Sequence, residues 1–272
     1  MNNFSSNIKY FLPHRFFFGT LINLATLYRY YVNKLKTKSP DQFIGASILD
    51  NFKSLGFNVS HLGIDMKQVS DIESEFEKPG STISLMQDEL HNGIYPEAST
   101  FYLKKNAINF SYFLEILKRS RTLTFLEQIY GTKFECFHLV VMKTTASKMN
   151  HSTSLNFHRD GHPPFSHKLI VYLTDVSEIN GPTMFCKGSH KNTYLTPTFG
   201  FHNFIRPSSI SNFETILGPA GTCLLFNNNG IHAGGRTNQS NRIIAVFTLR
   251  PGSSVKNYNE IKSVGEREYS LK

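Results

Sequence analysis

At Gly131 the chain changes its hydrophobic period, and this switch limits the possible folds more than any other feature. Beyond it, short β-branched and aromatic runs follow one another: Phe134 to Thr145, Ser154 to Asp160, Lys168 to Val176, Pro182 to Lys187, Gly221 to Asn227 and Arg242 to Leu249. Runs of that length and composition read as strands. The dividers are turn signals: Gly161-His162-Pro163-Pro164, Asn180-Gly181-Pro182, Lys187-Gly188-Ser189 and Gly218-Pro219. Many short strands at this spacing predict a sandwich or barrel, here a β-barrel of jelly-roll (cupin-like) type with flanking helices.

Ahead of Gly131 the pattern is helical. Ser39-Pro40-Asp41 is positioned to start a helix through Ile44, Ile48, Leu49, Phe52 and Leu55, with Gly56 as its stop. A charged helix is expected from about Asp65 to Lys78, closed by Pro79-Gly80. Phe113, Leu114 and Leu117 keep helical spacing. A second helix is expected from Thr124, which stands in capping-box relation to Glu127, and Gly131 should end it. We read one domain over 1–272: an apolar and basic segment at 1–40, a mostly helical support at 41–131, a β core at 132–252 and a tail at 253–272.

Composition narrows the setting. Hydrophobic residues at 40% suffice for a large core, and charged residues at 18% are too few for a disordered chain. The net charge of +9 suits an anionic partner, although surface solubility is the more ordinary explanation. The basic residues are scattered, so no nucleic acid is expected. Three cysteines, Cys136, Cys186 and Cys223, form no disulfide framework and suit a reducing, cytoplasmic compartment. Tyr10 to Val32 is apolar but interrupted by His14, Arg15, Asn23 and Arg29. It is therefore no transmembrane span. Its two readings are a helix packed on the body and a peripheral membrane contact.

The chemistry concentrates in Asn156-Phe157-His158-Arg159-Asp160-Gly161. On a strand, alternate residues face the same way, so His158 and Asp160 point together into the barrel and Phe157 and Arg159 point out. Asn156 shares the inward face. A third ligand is expected at His232, in Asn229-Gly230-Ile231-His232-Ala233-Gly234. Two histidines and one carboxylate on one side of a metal, with the other positions open, describe the facial triad of iron(II) oxygenases. Arg242 heads the last apolar strand and is positioned to fork onto a buried carboxylate such as that of 2-oxoglutarate. Arg236 and Arg250 are its nearby rivals. His162 and His167 are expected in solvated loops, and His190 as a structural part of its turn.

These residues together resemble the phytanoyl-CoA dioxygenase family. The resemblance rests on His158-Arg159-Asp160, Tyr172-Leu173-Thr174-Asp175, Asn180-Gly181-Pro182, Lys187-Gly188-Ser189-His190-Lys191, His232 and Arg242, in that order, over roughly Phe134 to Pro251. It implies a double-stranded β-helix. It also implies a dioxygenase that uses iron(II), 2-oxoglutarate and O2, releases succinate and CO2, and hydroxylates an organic substrate. His158, Asp160 and His232 would then hold iron, Arg242 would bind the 2-oxoglutarate carboxylate, and Lys168 and Tyr172 would face the co-substrate or substrate. Lys168 also has a reading as an edge-strand charge. The family often carries a small polar residue where this chain has Gly234, which leaves the second anchor of 2-oxoglutarate open. The presence of Asp160 argues against the halogenase branch. Two alternatives stand beside the oxygenase: a non-catalytic metal-binding barrel, and a cupin-like hydrolase or isomerase using zinc. The expected partner is a small or medium organic substrate, anionic or lipid-like.

Overall fold

The computed structural model describes residues 27–28, 30–32, 34–35, 44–83, 100–145, 157–160, 165–191, 212–235, 241–252, 261 and 263. Ser39, Pro40, Asp41, Asn156, His162 and Arg236 lie outside the described residues. A first helix, α1, covers the described residues from 27 to 35. It is followed by α2 (Ala46–Leu55), β1 (Phe57–His61), α3 (Met66–Glu77), β2 (Thr82–Ile83), β3 (Thr100–Leu103), a short 3₁₀ turn (Lys105–Ala107), α4 (Phe110–Arg119) and α5 (Thr122–Tyr130). The remaining strands are β4 (Phe134–Thr144), β5 (His167–Tyr172), β6 (Thr183–Cys186), β7 (Phe213–Ile216), β8 (Thr222–Asn227), β9 (His232–Gly234) and β10 (Arg242–Pro251).

The strands form two antiparallel sheets. The larger has the order β1-β8-β5-β10-β4-β3-β2 and the smaller β7-β6-β9. This is the jelly-roll expected from the strand spacing. Its central strands read as unbroken apolar runs because both faces of the large sheet are covered. Leu169, Val171, Cys223, Leu225, Ile243, Ala245 and Phe247 face a core shared with the helices, through Phe52, Val69, Ile72, Phe113, Ile116 and Leu126. The alternate residues Ile170, Tyr172, Leu224, Phe226 and Ile244 face a second core shared with Phe185 and Ile216 of the small sheet. By that period of two, Lys168 on β5 and Arg242 on β10 point between the sheets. Among the described residues no helix is long and apolar enough to cross a membrane.

The helices follow local chemistry. Asp65 caps α3 by accepting from Lys67 N at 2.9 Å, and Asn109 caps α4 by accepting from Tyr112 N. Two expected starts are corrected. Helix α2 begins at Ala46, after Gly45, which offers no side-chain cap. Helix α5 begins at Thr122, not Thr124. Arg121 adopts a left-handed conformation (φ 54°) that ends α4, and Ser120 Oγ accepts from Thr122 N, so the next helix restarts at once. Both predicted stops hold, since Gly56 and Gly131 take left-handed backbones at φ 88° and 63°. At Gly56 the space is also closed, because a Cβ there would lie 2.3 Å from His190 Nδ1.

Of the strand expected from Ser154 to Asp160, residues 154–156 lie outside the described residues. Within its described part, only His158 pairs, in an isolated bridge to His232. The third run ends at Tyr172, because Thr174 Oγ1 takes the place of a backbone acceptor for Ile243 N. Strands β1, β2, β3, β7 and β9 were not anticipated. Edge strand β1 (Phe57–His61) alternates apolar Phe57 and Val59 with polar Asn58 and Ser60, but the run is only five residues long and follows directly on the helix stop at Gly56.

His167 overturns the expectation of a solvated loop. It is fully buried at the start of β5, among Phe52, Tyr130 and Phe134. The Phe165 carbonyl lies 2.9 Å from Nδ1 and can only accept, so Nδ1 carries the proton and Nε2 accepts from Tyr130 Oη at 3.0 Å. Burial drives its pKa down to about 3, with the Phe165 hydrogen bond opposing. The folded chain therefore holds fewer protons than the unfolded chain between about pH 3 and the ordinary histidine value near 6.5. The corresponding stability is present above pH 6.5 and is lost on acidification, by at most about 1.4 kcal/mol per pH unit. We expect His167→Gln to flatten the dependence of the urea midpoint on pH between about 6.5 and 4 by close to one proton. An unchanged slope would show that His167 does not titrate with unfolding.

Candidate metal centre

The centre begins with the backbone. His158 N donates to His232 O at 2.9 Å and His232 N donates to His158 O at 3.0 Å. This reciprocal pair places the two imidazoles side by side, with ring centroids 4.5 Å apart. His232 opens β9 opposite Phe185 of β6, so the small sheet carries both histidines at its edge. Asp160 follows His158 at the spacing that returns a side chain to the same face. Its Oδ1 lies 3.5 Å from His158 Nε2 and its Oδ2 lies 3.4 Å from His232 Nε2. The three donor atoms all fall within 4.8 Å of one another. Facial ligands about 2.1 Å from a metal would sit about 3 Å apart, so a small contraction would close the site.

The protonation states suit a cation. His232 Nδ1 lies 3.0 Å from Gly230 O, which accepts its proton and leaves the Nε2 lone pair facing Asp160. Burial pushes the His232 pKa down to about 3, against the pull of Asp160. The imidazole is therefore neutral at physiological pH, as a ligand must be.

Two cations surround the donors. Lys168 Nζ pairs with Asp160 Oδ2 at 2.6 Å, with four-fifths of its side chain buried. This places Lys168 at the site and removes its reading as an edge-strand charge. Arg242 is 2% exposed and its Nη1 donates to Gly181 O. Its Nε has no hydrogen-bond partner, and no carboxylate pairs with it, among the described residues. Burial lowers its pKa and the nearby Tyr172 opposes that shift. A buried guanidinium is costly without an anion, so the residues present fit a carboxylate ligand. Its rival Arg250 is excluded by its pairing with Glu135 at 2.8 Å. Tyr172 is fully buried, and its single proton goes to Ile216 O at 2.9 Å while its oxygen accepts from Thr183 N. It shapes the wall beside Arg242 and has no free proton for a co-substrate.

Arg159 was expected to point outward. It is half-buried, and its Nη1 donates to both Ser189 O and Asn229 O. Ser189 Oγ in turn accepts from Ile231 N at 2.7 Å and donates to Cys186 O at 2.6 Å. The Gly-Ser-His turn thus braces the chain just ahead of His232. His190 acts structurally, as expected: its Nε2 lies 3.2 Å from Lys53 O, against the end of α2.

A family profile for phytanoyl-CoA dioxygenase (PhyH) matches residues 132–244, the span that holds all three donors and Arg242. The β core of this chain is therefore similar to a phytanoyl-CoA dioxygenase domain. No curated protein matches the chain in sequence. Similar solved structures include the epimerase SnoN in complex with Fe3+, alpha ketoglutarate and nogalamycin RO (TM-score 0.54, 17% identity, 78% of this chain and 86% of that one). HygX from Streptomyces hygroscopicus, with nickel and 2-oxoglutarate bound, gives a TM-score of 0.52 at 17% identity over 78% of this chain and 89% of its own. The carbocyclase SnoK from nogalamycin biosynthesis gives 0.52 at 12% identity, covering 76% and 84%. At such identities the likeness establishes a shared fold.

The brace formed by Arg159 can be tested apart from catalysis. Arg159→Met leaves two carbonyls without their donor, which should cost about 1–3 kcal/mol of stability. It should also weaken Mn(II) binding about 10- to 100-fold, the usual effect of losing a group that orients a ligand. Arg159→Lys should recover part of both. Calorimetric titration and thermal melting check these outcomes.

Proposed function

We propose that the chain is an iron(II)- and 2-oxoglutarate-dependent oxygenase that hydroxylates a small or medium organic substrate. One observation carries this reading: a buried donor set of two histidines and one carboxylate shares its barrel with a buried arginine that lacks a carboxylate partner among the described residues. His158, Asp160 and His232 would hold the metal and leave its other side open. Arg242 would receive the far carboxylate of 2-oxoglutarate through its fork. Bound together, iron(II) and 2-oxoglutarate supply the oxidative chemistry, consuming O2 and releasing succinate and CO2 as a substrate C–H bond is oxidised. A zinc hydrolase on the same barrel would have no use for the second buried cation, so Arg242 favours the oxygenase.

The remaining residues do ordinary electrostatic work. Lys168 holds Asp160 through an ion pair, so a metal must compete with its ammonium for Oδ2. Once released, that ammonium is free to meet a carboxylate of the co-substrate or substrate. Thr183 is buried directly across the strand pair from Gly234, on the same face as Phe185 and His232. It stands where a hydroxyl would serve in place of the small polar residue that Gly234 lacks. The substrate outcome is our reading of the site chemistry. The proteins of similar fold include an epimerase and a carbocyclase, so oxygen insertion needs its own assay.

Anaerobic titration with iron(II) and 2-oxoglutarate is the direct test. We expect a weak visible charge-transfer band that is absent in His158→Ala and Asp160→Ala. Arg242→Ala should keep iron and bind 2-oxoglutarate about 100-fold more weakly, the loss of roughly 3 kcal/mol typical when one partner of a buried charged pair is removed. Equal affinity would strip Arg242 of its role. Lys168→Met should bind Mn(II) a few-fold more tightly yet bind 2-oxoglutarate less well, a split that a purely structural lysine would not produce. Thr183→Val should weaken 2-oxoglutarate by about tenfold with iron affinity unchanged. Succinate release with O2, coupled to a product one oxygen heavier, would establish hydroxylation.

A further inference from the structure

We infer that α1 docks the protein on an anionic bilayer surface. Residues 1–40 contain Lys9, Arg15, Arg29, Lys34, Lys36 and Lys38 and no Asp or Glu, so most of the net charge of +9 lies on this stretch. Interleaved with these charges is an unusual density of Phe, Tyr, Leu and Ile. In α1 the structure divides the two characters. Tyr30 turns inward: it is buried, stacks on Phe165 at 4.3 Å and donates to Tyr130 O at 3.0 Å. Lys34 lies beside it, its Nζ 5.5 Å from the Tyr30 ring centre.

The opposite face carries Tyr28, Tyr31 and Leu35. At about 100° per residue these three fall within an arc of about 60°. They are 71%, 60% and 89% exposed. A helix that packs on the body through Tyr30 would ordinarily present charge to water, as α3 does. This one presents two aromatic rings and a leucine, with Lys34 at its flank. Tyrosine settles at the headgroup level of a bilayer, leucine reaches the acyl boundary and lysine meets lipid phosphate. A protein partner would need acidic groups as well as an apolar patch, and an identical copy would bring the same positive charge against itself. The bilayer satisfies both characters at once, and among the described residues no helix is long and apolar enough to cross it.

Flotation with vesicles tests the docking on the full chain. The wild-type protein should float with mixed phosphatidylcholine–phosphatidylglycerol vesicles, much less with pure phosphatidylcholine, and lose binding in ~0.5 M NaCl. Tyr28→Ser/Tyr31→Ser/Leu35→Ser should bind at least about tenfold more weakly while keeping the wild-type melting curve. Lys34→Glu/Lys36→Glu/Lys38→Glu should lose binding to the anionic vesicles too. The inference is overturned if the wild type floats with neither vesicle, or if the apolar triple variant floats as the wild type does. It is also overturned if the wild type forms a dimer on gel filtration that the triple variant abolishes while neither binds vesicles, because the occupant is then a second copy.

Discussion

Two backbone hydrogen bonds between His158 and His232 hold the centre together. They join segments that are remote in the chain and set the spacing of the imidazoles before any side-chain contact is made. A ligand pair held this way is positioned by main chain on both sides, which limits the rotamers each histidine can use. Among the described residues the bridge is a single residue long. Its support comes from β6 on one side, through Phe185 opposite His232, and from Arg159, which ties its own segment to the carbonyls of Ser189 and Asn229. The side chain lying between two metal-donor residues thus serves to keep both of them in place.

The electrostatics of the barrel interior follow from what the bridge assembles. Asp160 brings one negative charge, and Lys168 and Arg242 bring two positive ones, in a space from which water is largely excluded. His232 adds none, because burial keeps it neutral. Such an imbalance is unfavourable unless an anion enters. A divalent cation at the three donors would deepen the imbalance and make a dicarboxylate more welcome still. The hydrogen bond from Arg242 to Gly181 aims the guanidinium at the segment that ends in Thr183, whose strand partner is Gly234. Arg242 and the three candidate metal donors are therefore linked through β6 and β9.

The rest of the fold gives the small sheet something rigid to lean on. The large sheet is covered on one face by α2, α3, α4 and α5 and on the other by the small sheet, so its central strands exchange few side chains with water. His167 shows how strict this packing is. A histidine placed on the helix side of β5 is held neutral, with both nitrogens satisfied by Phe165 and Tyr130. Lys168, one residue later, points to the opposite face and reaches Asp160. The reversal of side-chain direction at each step of a strand separates a structural residue from a functional one.

The amino-acid order alone determined the jelly-roll class, five of the strands, the stops at Gly56 and Gly131, and the set His158, Asp160, His232 and Arg242. These are local facts: strand composition, turn residues, left-handed glycines and the alternation of His-x-Asp all act within a few positions. Only the tertiary structure decided that Lys168 pairs with Asp160, that Arg159 is half-buried against Ser189 and Asn229, that His167 is buried, and that His158 meets His232 through an isolated bridge. Each of these depends on which distant backbone arrives alongside. Partner identity across a sheet is set by long-range register, and no short-range pattern in the chain encodes it.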